Sequence, residues 1–297
     1  MVKLVFFGTE KFAAEILAGL IESKKYDIIC VVTQPDKPKG RHQQLCSCPV
    51  KKLAARHNLH VVQPINLEHE KYCIPPPDLI VVCQYSLIIP KKILAIPKHG
   101  ALNVHASLLP KYRGASPIQS ALVGGEKETG NTIMLMDEKM DHGPILTQDT
   151  VIIEPNDTFT TLADKLAKNG KILLLNTIPG FISGKIKPMP QNESLATYTR
   201  LLKRENGHLK PEMTAERVYN LFRGLTPWPG VFFEWQNNHI KIIDMIPATF
   251  DLLPGELKSR DRHLYWGVRD GAIEIIELQV ASHKTQTVKE FISGYHV

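Results

Sequence analysis

The chain has 297 residues, of which 43% are hydrophobic and 22% are charged, and this composition is typical of a globular protein with a buried core rather than of a disordered chain. No apolar run approaches the roughly 20 residues that a membrane-spanning helix needs, and the apolar start "MVKLVFF" is too short for a secretory signal. Five cysteines without a CxxC pair favour free thiols in a reducing compartment, so we expect a cytoplasmic protein. Cys46 and Cys48 give at most half of a metal site, and we expect no metal.

The net charge of +6 is unevenly distributed along the chain. Residues 1–208 contain 26 Lys and Arg against 19 Asp and Glu, whereas residues 209–297 contain 10 against 11. The basic excess of the longer segment favours a partner of opposite charge. A solvated basic face without a partner is the alternative.

The first half of the chain alternates predicted strands with predicted helices. Near-continuous apolar runs are typical of strands that are covered on both faces, and apolar residues at helical spacing indicate helices. Because strands and helices alternate, we predict an α/β domain with a mostly parallel sheet, in which ligands bind beyond the carboxyl ends of the strands. The predicted strands are 3–8, 26–33, 60–64, 78–85 and 100–107, and the predicted helices are 13–23, 50–58 and 90–97. A further strand is predicted at 145–153, after a turn at Gly143 and Pro144.

The second half of the chain changes character after a segment rich in Gly, Pro and Lys. The segment 178–190 and the polar residues that follow it predict a domain end and a linker. Beyond them, Thr214 is a suitable N-cap for a helix over 214–225, and regularly spaced short strands indicate a small β-rich domain. We predict these strands at 230–235, 239–246, 264–270 and 272–280 and the domains at 1–187 (catalytic), 188–208 (linker) and 209–297 (C-terminal).

The polar residues most typical of a reactive site follow the predicted strand 100–107. When an amine attacks a carbonyl, negative charge builds on the oxygen, and the amide N–H of Asn103 can stabilise that oxyanion without changing its own charge. His105 points to the same face of the strand and can donate a second hydrogen bond or move a proton. A carboxylate usually orients such an imidazole; Asp141 is the candidate and Asp137 the alternative. The predicted chemistry is acyl transfer to an amine.

Each of these residues also has a purely structural explanation. An asparagine at a strand end commonly forms a turn, and a histidine among apolar neighbours is commonly a buried structural residue. Tyr112 and Arg113 are compatible with surface packing, and Ser116 with the cap of a helix that begins at Pro117. The residues alone leave both explanations open.

Longer motifs resemble the folate-dependent formyltransferase family over essentially the whole chain. The segment "NVHASLLPKYRGASPIQ" is similar to the active-site segment of that family, and "ETGNTIMLMDEKMDHGPIL" is similar to its catalytic-aspartate loop. The opening "FFGTEKFAAEIL" and the loop start "VVTQPDKPKGR" resemble further parts of the first domain. The segments "LTPWPGVFF" and "DGAIEIIELQ" resemble the C-terminal domain of the members that act on methionyl-tRNA.

The resemblance implies a Rossmann-like formyltransferase domain followed by a small OB-like domain. It implies that Asn103, His105 and Asp141 form the catalytic trio. The implied reaction moves a formyl group from the co-substrate 10-formyltetrahydrofolate to the α-amino group of methionine on initiator tRNA, for translation initiation in a bacterial-type cytoplasm. We expect a monomer without a metal or a membrane partner. The implied folate-binding residues are Ser107, Leu108, Leu109, Pro110, Leu87 and Ile88, and those expected to contact tRNA phosphates are Lys37, Lys39 and Arg41.

Other functions stay possible at this point. An amino-sugar N-formyltransferase or a 10-formyltetrahydrofolate hydrolase would use the same active-site segment. A catalytically silent RNA-binding protein could keep the same scaffold. A dinucleotide-dependent oxidoreductase is excluded, because "GTEKFA" after the first strand has one glycine where the dinucleotide-binding motif needs three.

Overall fold

The computed structural model describes residues 1–39, 44–68, 75–295 and 297, and it divides into two compact units. No helix among these residues is long and apolar enough to cross a membrane. The first unit consists of Met1–Pro117, Glu128–Ile152 and Ala163–Thr199, and the second of Ile118–Lys127, Ile153–Leu162 and Arg200–Val297.

The predicted strands and helices of the first half are confirmed, with ends that differ by at most three residues. The strand predicted at 145–153 is also present, at Ile145–Ile152, whereas a small hairpin, the strand Glu128–Leu135 and the long helix Phe159–Ile182 were not predicted from the sequence pattern. The elements up to residue 199 are β1 (Val2–Gly8), α1 (Lys11–Glu22), β2 (Tyr26–Val32), β3 (Lys37–Lys39), β4 (Gln44–Cys46), α2 (Pro49–Arg56), β5 (Val61–Val62), β6 (Leu79–Cys83), α3 (Lys91–Leu94), β7 (Ala101–His105), β8 (Arg113–Gly114), α4 (Pro117–Val123), β9 (Glu128–Leu135), β10 (Ile145–Ile152), α5 (Phe159–Ile182) and β11 (Tyr198–Thr199).

Seven strands of the first unit form one sheet, in the order β10-β9-β7-β6-β1-β2-β5. The pairs from β5 to β7 are parallel, and the pairs β7–β9 and β9–β10 are antiparallel. All five residues of β6 are buried, as expected for a parallel strand covered on both faces. The prediction of a mostly parallel sheet is therefore confirmed.

The segment from residue 178 to residue 199 is more ordered than its composition suggested. Helix α5 continues to Ile182 and includes Pro179, so the chain is still helical where the Gly- and Pro-rich pattern begins. Beyond it, β11 pairs in parallel with β8, and the backbone of Thr197 bonds to Pro110 O and to Arg113 N–H, so residues 197–199 lie along the end of the turn at 107–114. The predicted functional boundaries at residues 187 and 208 stay a prediction.

The second unit is antiparallel and rich in β-structure, as predicted. Thr214 caps its first long helix, because its hydroxyl accepts a hydrogen bond from the backbone N–H of Arg217 at 3.1 Å. The elements are α6 (Ala215–Leu225), β12 (Val231–Trp235), β13 (Asn238–Ala248), β14 (Leu257–Arg260), β15 (His263–Val268), β16 (Gly271–Val280), β17 (Gln286–Thr287) and α7 (Val288–Gly294). The strand pairing follows the order β12-β13-β16-β15-β14, with β17 beside β16, and a partly open arrangement of this size is typical of OB-like folds.

The core of this unit explains its β-rich architecture. Alternate residues of β12 and β13 point inward, and Phe233 stacks on Trp266 with ring centroids 4.6 Å apart. The amphipathic helix α6 buries Val218 and Leu221 against the same cluster. The alternation that predicted these strands therefore reflects one buried face and one exposed face.

Candidate active site

Strand β7 carries two polar side chains on one face. Asn103 lies opposite Val82 on one neighbouring strand and opposite Met134 on the other, and His105 lies opposite Thr132. The side chain of His105 is only 7% exposed. Residues two apart on a strand point to the same side, so an amide and an imidazole face the same space.

The carboxylate of Asp141 lies beside both of these side chains. Its Oδ1 accepts a hydrogen bond from Asn103 Nδ2 at 3.3 Å and lies 3.6 Å from His105 Nδ1. Its Oδ2 accepts a hydrogen bond from the backbone N–H of Gly114 at 2.7 Å. The alternative carboxylate, Asp137, instead lies 2.6 Å from Nδ1 of His142. The structure therefore brings Asn103, His105 and Asp141 together, while their catalytic roles stay a prediction.

The main chain, and not the carboxylate, orients the ring of His105. Nε2 lies 3.0 Å from the carbonyl oxygen of Tyr112. A carbonyl can only accept a hydrogen bond, so Nε2 must carry the proton in this contact. The 3.6 Å distance to Asp141 is too long for a hydrogen bond, and this carboxylate acts on the ring by charge. In the neutral ring, Nδ1 consequently has a free lone pair that faces the carboxylate.

The hydroxyl of the buried Thr132 is the centre of a set of hydrogen bonds that support the turn after β7. The hydroxyl of Thr132 donates to Ser107 O at 2.6 Å and accepts from Leu109 N–H at 3.1 Å. The side-chain amide of Gln148 donates to the same hydroxyl at 2.9 Å and to Leu109 O at 2.8 Å. The peptide bond between Leu109 and Pro110 is cis. Sequence reasoning missed Thr132 and Gln148, because their contacts with residues 107–109 cross from one strand to another and leave no local pattern.

Arg113 does not pack on the surface; it is buried and fully hydrogen-bonded. Its side chain is 1% exposed and lies 2.6 Å from a carboxylate oxygen of Glu193. The guanidinium also donates to Gln191 and to the hydroxyl of Tyr198. The Arg113 guanidinium holds the pKa of the Glu193 carboxyl below its usual range. Segment 191–198 is thereby tied to the strand that supplies Gly114 to Asp141.

Two family models match the chain. One, described as formyl transferase, matches residues 2–178, and the other, described as formyl transferase, C-terminal domain, matches residues 201–296. The chain belongs to the formyl transferase family. The family resemblance inferred from the sequence motifs is thus confirmed, and the cluster at β7 lies within residues 2–178, which the first model matches.

Curated relatives of this formyl transferase match along nearly its whole length. A methionyl-tRNA formyltransferase of Enterococcus faecalis is 43% identical and covers 99% of this chain and 96% of its own. A methionyl-tRNA formyltransferase of Caldicellulosiruptor saccharolyticus is 42% identical, with coverages of 99% and 97%. Among solved structures, the N-formyltransferase of Helicobacter canadensis, in complex with folinic acid and dTDP-3-aminofucose, has a TM-score of 0.69 at 19% identity and covers 93% of this chain and 99% of its own. At 19% identity, the similarity to the Helicobacter canadensis structure shows a shared fold only.

The residues that the resemblance assigns to folate differ in their surroundings. Ser107 is fully buried, and its hydroxyl donates to Lys111 O at 2.7 Å. Leu109 is 3% exposed, whereas Leu108 and Pro110 are half-buried. The other two residues, Leu87 and Ile88, lie in the segment after β6. Ile88 is 83% exposed, while Leu87 is partly buried against the core of the parallel sheet. The folate assignments of all six stay predictions.

Tyr85, two residues before Leu87, is a further polar residue that packs against the core of the parallel sheet. Its ring packs edge-on against Phe7 with centroids 5.3 Å apart, and burial raises the pKa of its hydroxyl. The buried hydroxyl has no hydrogen-bond partner among the described residues.

Among the described residues, no group of three or more His, Cys, Asp and Glu side chains could hold a metal ion, and Cys30, Cys46, Cys48 and Cys83 are free thiols.

The residues expected to contact tRNA belong to a small hairpin, β3 and β4. Lys37 is exposed, and its Nζ donates to Gln34 Oε1 at 3.1 Å. Lys39 pairs with Gln44 across the hairpin through its backbone, and its side chain is not described. Arg41 lies outside the described residues.

A polar cluster around Asp36 holds the base of this hairpin. Its carboxylate accepts hydrogen bonds from Lys51 Nζ at 2.7 Å, Gln63 Nε2 at 3.0 Å and Ser47 Oγ at 3.2 Å. The hydrogen bonds from Lys51 and Gln63 lower the pKa of Asp36. Sequence reasoning missed this cluster because its members are spread over residues 36–63 without a local pattern.

We predict that Asp36→Asn loosens the hairpin at neutral pH, because an amide retains neither the charge attraction to Lys51 nor the full acceptor capacity. Hydrogen–deuterium exchange of residues 44–48 at pH 7 should rise in the variant. The contacts that lower the pKa of Asp36 do so because they favour its ionised carboxyl in the folded protein. In the wild type, their contribution to stability is therefore complete above the ordinary pKa of about 3.9 and is lost as the pH falls through the lower folded-state value. Wild-type protection should therefore be alike at pH 7 and pH 5, once the intrinsic exchange rates are corrected for pH. Unchanged exchange in Asp36→Asn would show that the cluster does not hold the hairpin.

Proposed function

We propose that this formyl transferase moves the formyl group of 10-formyltetrahydrofolate to the α-amino group of methionine esterified to initiator tRNA. The observation that carries the proposal is the convergence of an amide, an imidazole and a carboxylate at Asn103, His105 and Asp141. The full-length similarity to methionyl-tRNA formyltransferases supports tRNA as the acceptor.

The proposed reaction is direct attack by the neutral amine on the formyl carbon. A new C–N bond forms, and the carbonyl oxygen becomes an oxyanion. Collapse of this intermediate breaks the bond between the formyl carbon and N10 of the folate. The amine nitrogen loses one proton and N10 gains one, so no oxidant or reductant is needed.

Asn103 stabilises the oxyanion in this mechanism. Its hydrogen bond to Asp141 is 3.3 Å long, at the weak end of the range, so the amide N–H is easily redirected to a substrate oxygen. An uncharged donor aimed at the developing charge needs no change of protonation during the reaction.

His105 transfers the proton. Its Nε2–H is occupied by the Tyr112 carbonyl, which leaves Nδ1 as the atom that can accept a proton from the attacking amine. The imidazolium that forms lies 3.6 Å from the Asp141 carboxylate, whose negative charge stabilises it. From Nδ1 the proton can be donated to the oxyanion and then reach N10, directly or through a water molecule.

The folate pocket is assigned to the turn after β7 and to the segment after Tyr85. The half-buried Leu108 and Pro110 and the exposed Ile88 supply accessible apolar surface. We propose that the less accessible Leu87, Ser107 and Leu109 support the wall of this pocket. Solved relatives of this fold are complexed with folate derivatives, which supports the same class of donor here.

We assign the second domain and the hairpin to the tRNA. Residues 209–297 form the proposed OB-like tRNA-binding domain, after a linker at 188–208. Lys37, Lys39 and Arg41 are proposed to contact phosphates of the acceptor end, since lysine and arginine supply most of the phosphate contacts in nucleic-acid complexes. The protein is proposed to act as a monomer in the cytoplasm.

A second candidate function is N-formylation of an amino-sugar nucleotide. The observation in its favour is the fold likeness to the N-formyltransferase from Helicobacter canadensis, whose complex contains dTDP-3-aminofucose. Low identity limits that likeness to the fold, whereas the relatives from Enterococcus faecalis and Caldicellulosiruptor saccharolyticus, at 43% and 42% identity, are methionyl-tRNA formyltransferases.

We predict that, in a competition assay with 10-formyltetrahydrofolate, methionylated initiator tRNA is formylated in preference to methionylated elongator tRNA and to a 4-amino-sugar nucleotide. Product analysis by mass spectrometry distinguishes the acceptors. Transfer to the sugar alone would refute tRNA as the acceptor while keeping the chemistry at Asn103 and His105. Release of formate without any formylated acceptor would favour a 10-formyltetrahydrofolate hydrolase. Folate binding without any turnover would favour a catalytically silent RNA-binding protein.

We predict that Asn103→Ala lowers kcat for formyl transfer by about 10²–10³-fold, because one oxyanion donor is worth about 2.7–4 kcal/mol of barrier. Folate binding, followed by the quenching of tryptophan fluorescence or by calorimetry, should stay within a few fold of the wild type and serves as the control for folding. Near-normal turnover would remove Asn103 from the mechanism.

We predict that the affinity for initiator tRNA falls as salt rises, because phosphate contacts release counterions. Lys37→Ala should lower the slope of log K against log salt by about one contact. Lys25→Ala removes an exposed lysine that lies outside the hairpin and provides the matched control. Equal slopes in the two variants would exclude Lys37 from the interface.

A further inference from the structure

One side-chain amide holds the loop that carries Asp141. Nε2 of Gln191 donates to the main-chain oxygen of Asp141 at 2.9 Å and to that of Gly143 at 2.8 Å. Its Oε1 accepts from Nε and Nη2 of Arg113 at 3.1 and 2.8 Å. A primary amide has two N–H donors and two acceptor positions, and all four are used here.

The loop needs such support because its backbone is strained. Asp141 has a φ of 49°, in the left-handed region that costs a non-glycine residue about 1–3 kcal/mol. Gly143 has no room for a side chain, since a Cβ would lie 1.9 Å from Leu135 O. The two carbonyls that Gln191 bridges flank this tight turn, so the amide fixes the main chain from which the Asp141 carboxylate projects.

Arg113 anchors Gln191 in turn. Its Nη1 donates to Glu193 Oε2 at 2.9 Å and to the Tyr198 hydroxyl at 3.2 Å, and its Nη2 donates to Glu193 Oε1 at 2.6 Å. With the two bonds to Gln191, all five N–H donors of the guanidinium are satisfied. The next residue in the chain, Gly114, donates its backbone N–H to the Asp141 carboxylate. The Arg113–Gly114 segment therefore supports Asp141 at its side chain directly and at its main chain through Gln191.

We propose that Gln191 is a positioning residue for formyl transfer: by clamping the carbonyls of Asp141 and Gly143 to Arg113, it sets the distance between the Asp141 carboxylate and the His105 ring. Gln191 acts only through Asp141 and does not touch the reacting atoms. The kinetic part of the proposal rests on the proposed function, whereas the clamp itself does not.

The decisive variant is Gln191→Glu, which has the same shape. Its carboxylate still accepts from Arg113, but it presents oxygen atoms in place of N–H donors to two carbonyl oxygens, and the loop must move away. A displacement of about 1 Å at a catalytic group typically costs about 10²-fold in rate. We expect kcat to fall by about 10–10²-fold, while KM for the folate and for the tRNA changes less than threefold.

Glu193→Gln is the matched control. It makes the reverse exchange of carboxylate and amide two residues away, on the same guanidinium, and it leaves both contacts between Gln191 and the loop in place. We expect its kcat to stay within threefold of the wild type. An equal loss of kcat in both variants would mean that Arg113 pairing, and not the clamp on the loop, matters for the rate.

A double-mutant cycle separates positioning from general structural support. If Gln191 acts through Asp141, adding Gln191→Glu to Asp141→Asn should cost no further activity, whereas independent effects would multiply. Multiplying effects, or a Gln191→Glu enzyme with kcat within twofold of the wild type, would overturn the proposal. Gln191→Met, which lacks both donors and is uncharged, has the same expected result and replaces Gln191→Glu if that variant fails to fold.

Hydrogen–deuterium exchange provides a readout that is independent of the acceptor. The amides of residues 137–144 should exchange faster in Gln191→Glu than in Glu193→Gln. Equal exchange in the two variants would refute the clamp. If the wild type formylates no methionyl-tRNA, the proposed function fails, and this comparison still decides whether Gln191 holds the loop.

Discussion

The reversal of chain direction between β7 and β9 is the constraint on which the arrangement of the site depends. In a sheet that stays parallel, the loops that build a site leave the strands at the same edge. Here β9 runs against β7, and its last residue, Leu135, lies opposite Leu102, three residues before His105. The chain that carries Asp141 therefore leaves the sheet near the start of β7 and has to turn back along it. The left-handed backbone of Asp141 is a local cost of that return.

The two loops of the site are held in the same way, by uncharged side chains that bond to main-chain groups. Thr132 and Gln148 fasten the turn after β7, and Gln191 fastens the loop after β9. Of these three side chains, only Thr132 is buried, and burial of its hydroxyl costs little because that group is fully hydrogen-bonded. These side chains therefore hold both loops without adding a charge beside His105 and Asp141.

The parts of this protein that could be predicted from sequence are those with a local signal. Continuous apolar runs mark strands buried on both faces, which is why β1, β2, β6 and β7 could be predicted, and the two-residue spacing of Asn103 and His105 places them on one face. Asp141 could be selected over Asp137 only through the turn after it and the family resemblance, since spacing does not bring either one to β7.

The parts that could not be predicted depend on contacts between distant residues. Arg113 bonds to partners 78 and 80 residues further along the chain, and a surface role was the natural interpretation of an arginine beside a tyrosine and a glycine. The role of the Tyr112 carbonyl was invisible for another reason: every residue has a carbonyl, and only the fold decides which one meets the ring of His105.

All five N–H donors of Arg113 are used inside the protein, and this affects the design of inhibitors for this site. An arginine next to a catalytic cluster is the usual target for an acidic group on a synthetic ligand, because guanidinium and carboxylate or phosphate form strong paired hydrogen bonds. This arginine has no N–H left to offer, and Glu193 already balances its charge. A carboxylate directed at it would have to displace an internal partner and would gain little affinity. Compounds against this enzyme should instead direct hydrogen-bond acceptors at the weakly held amide of Asn103.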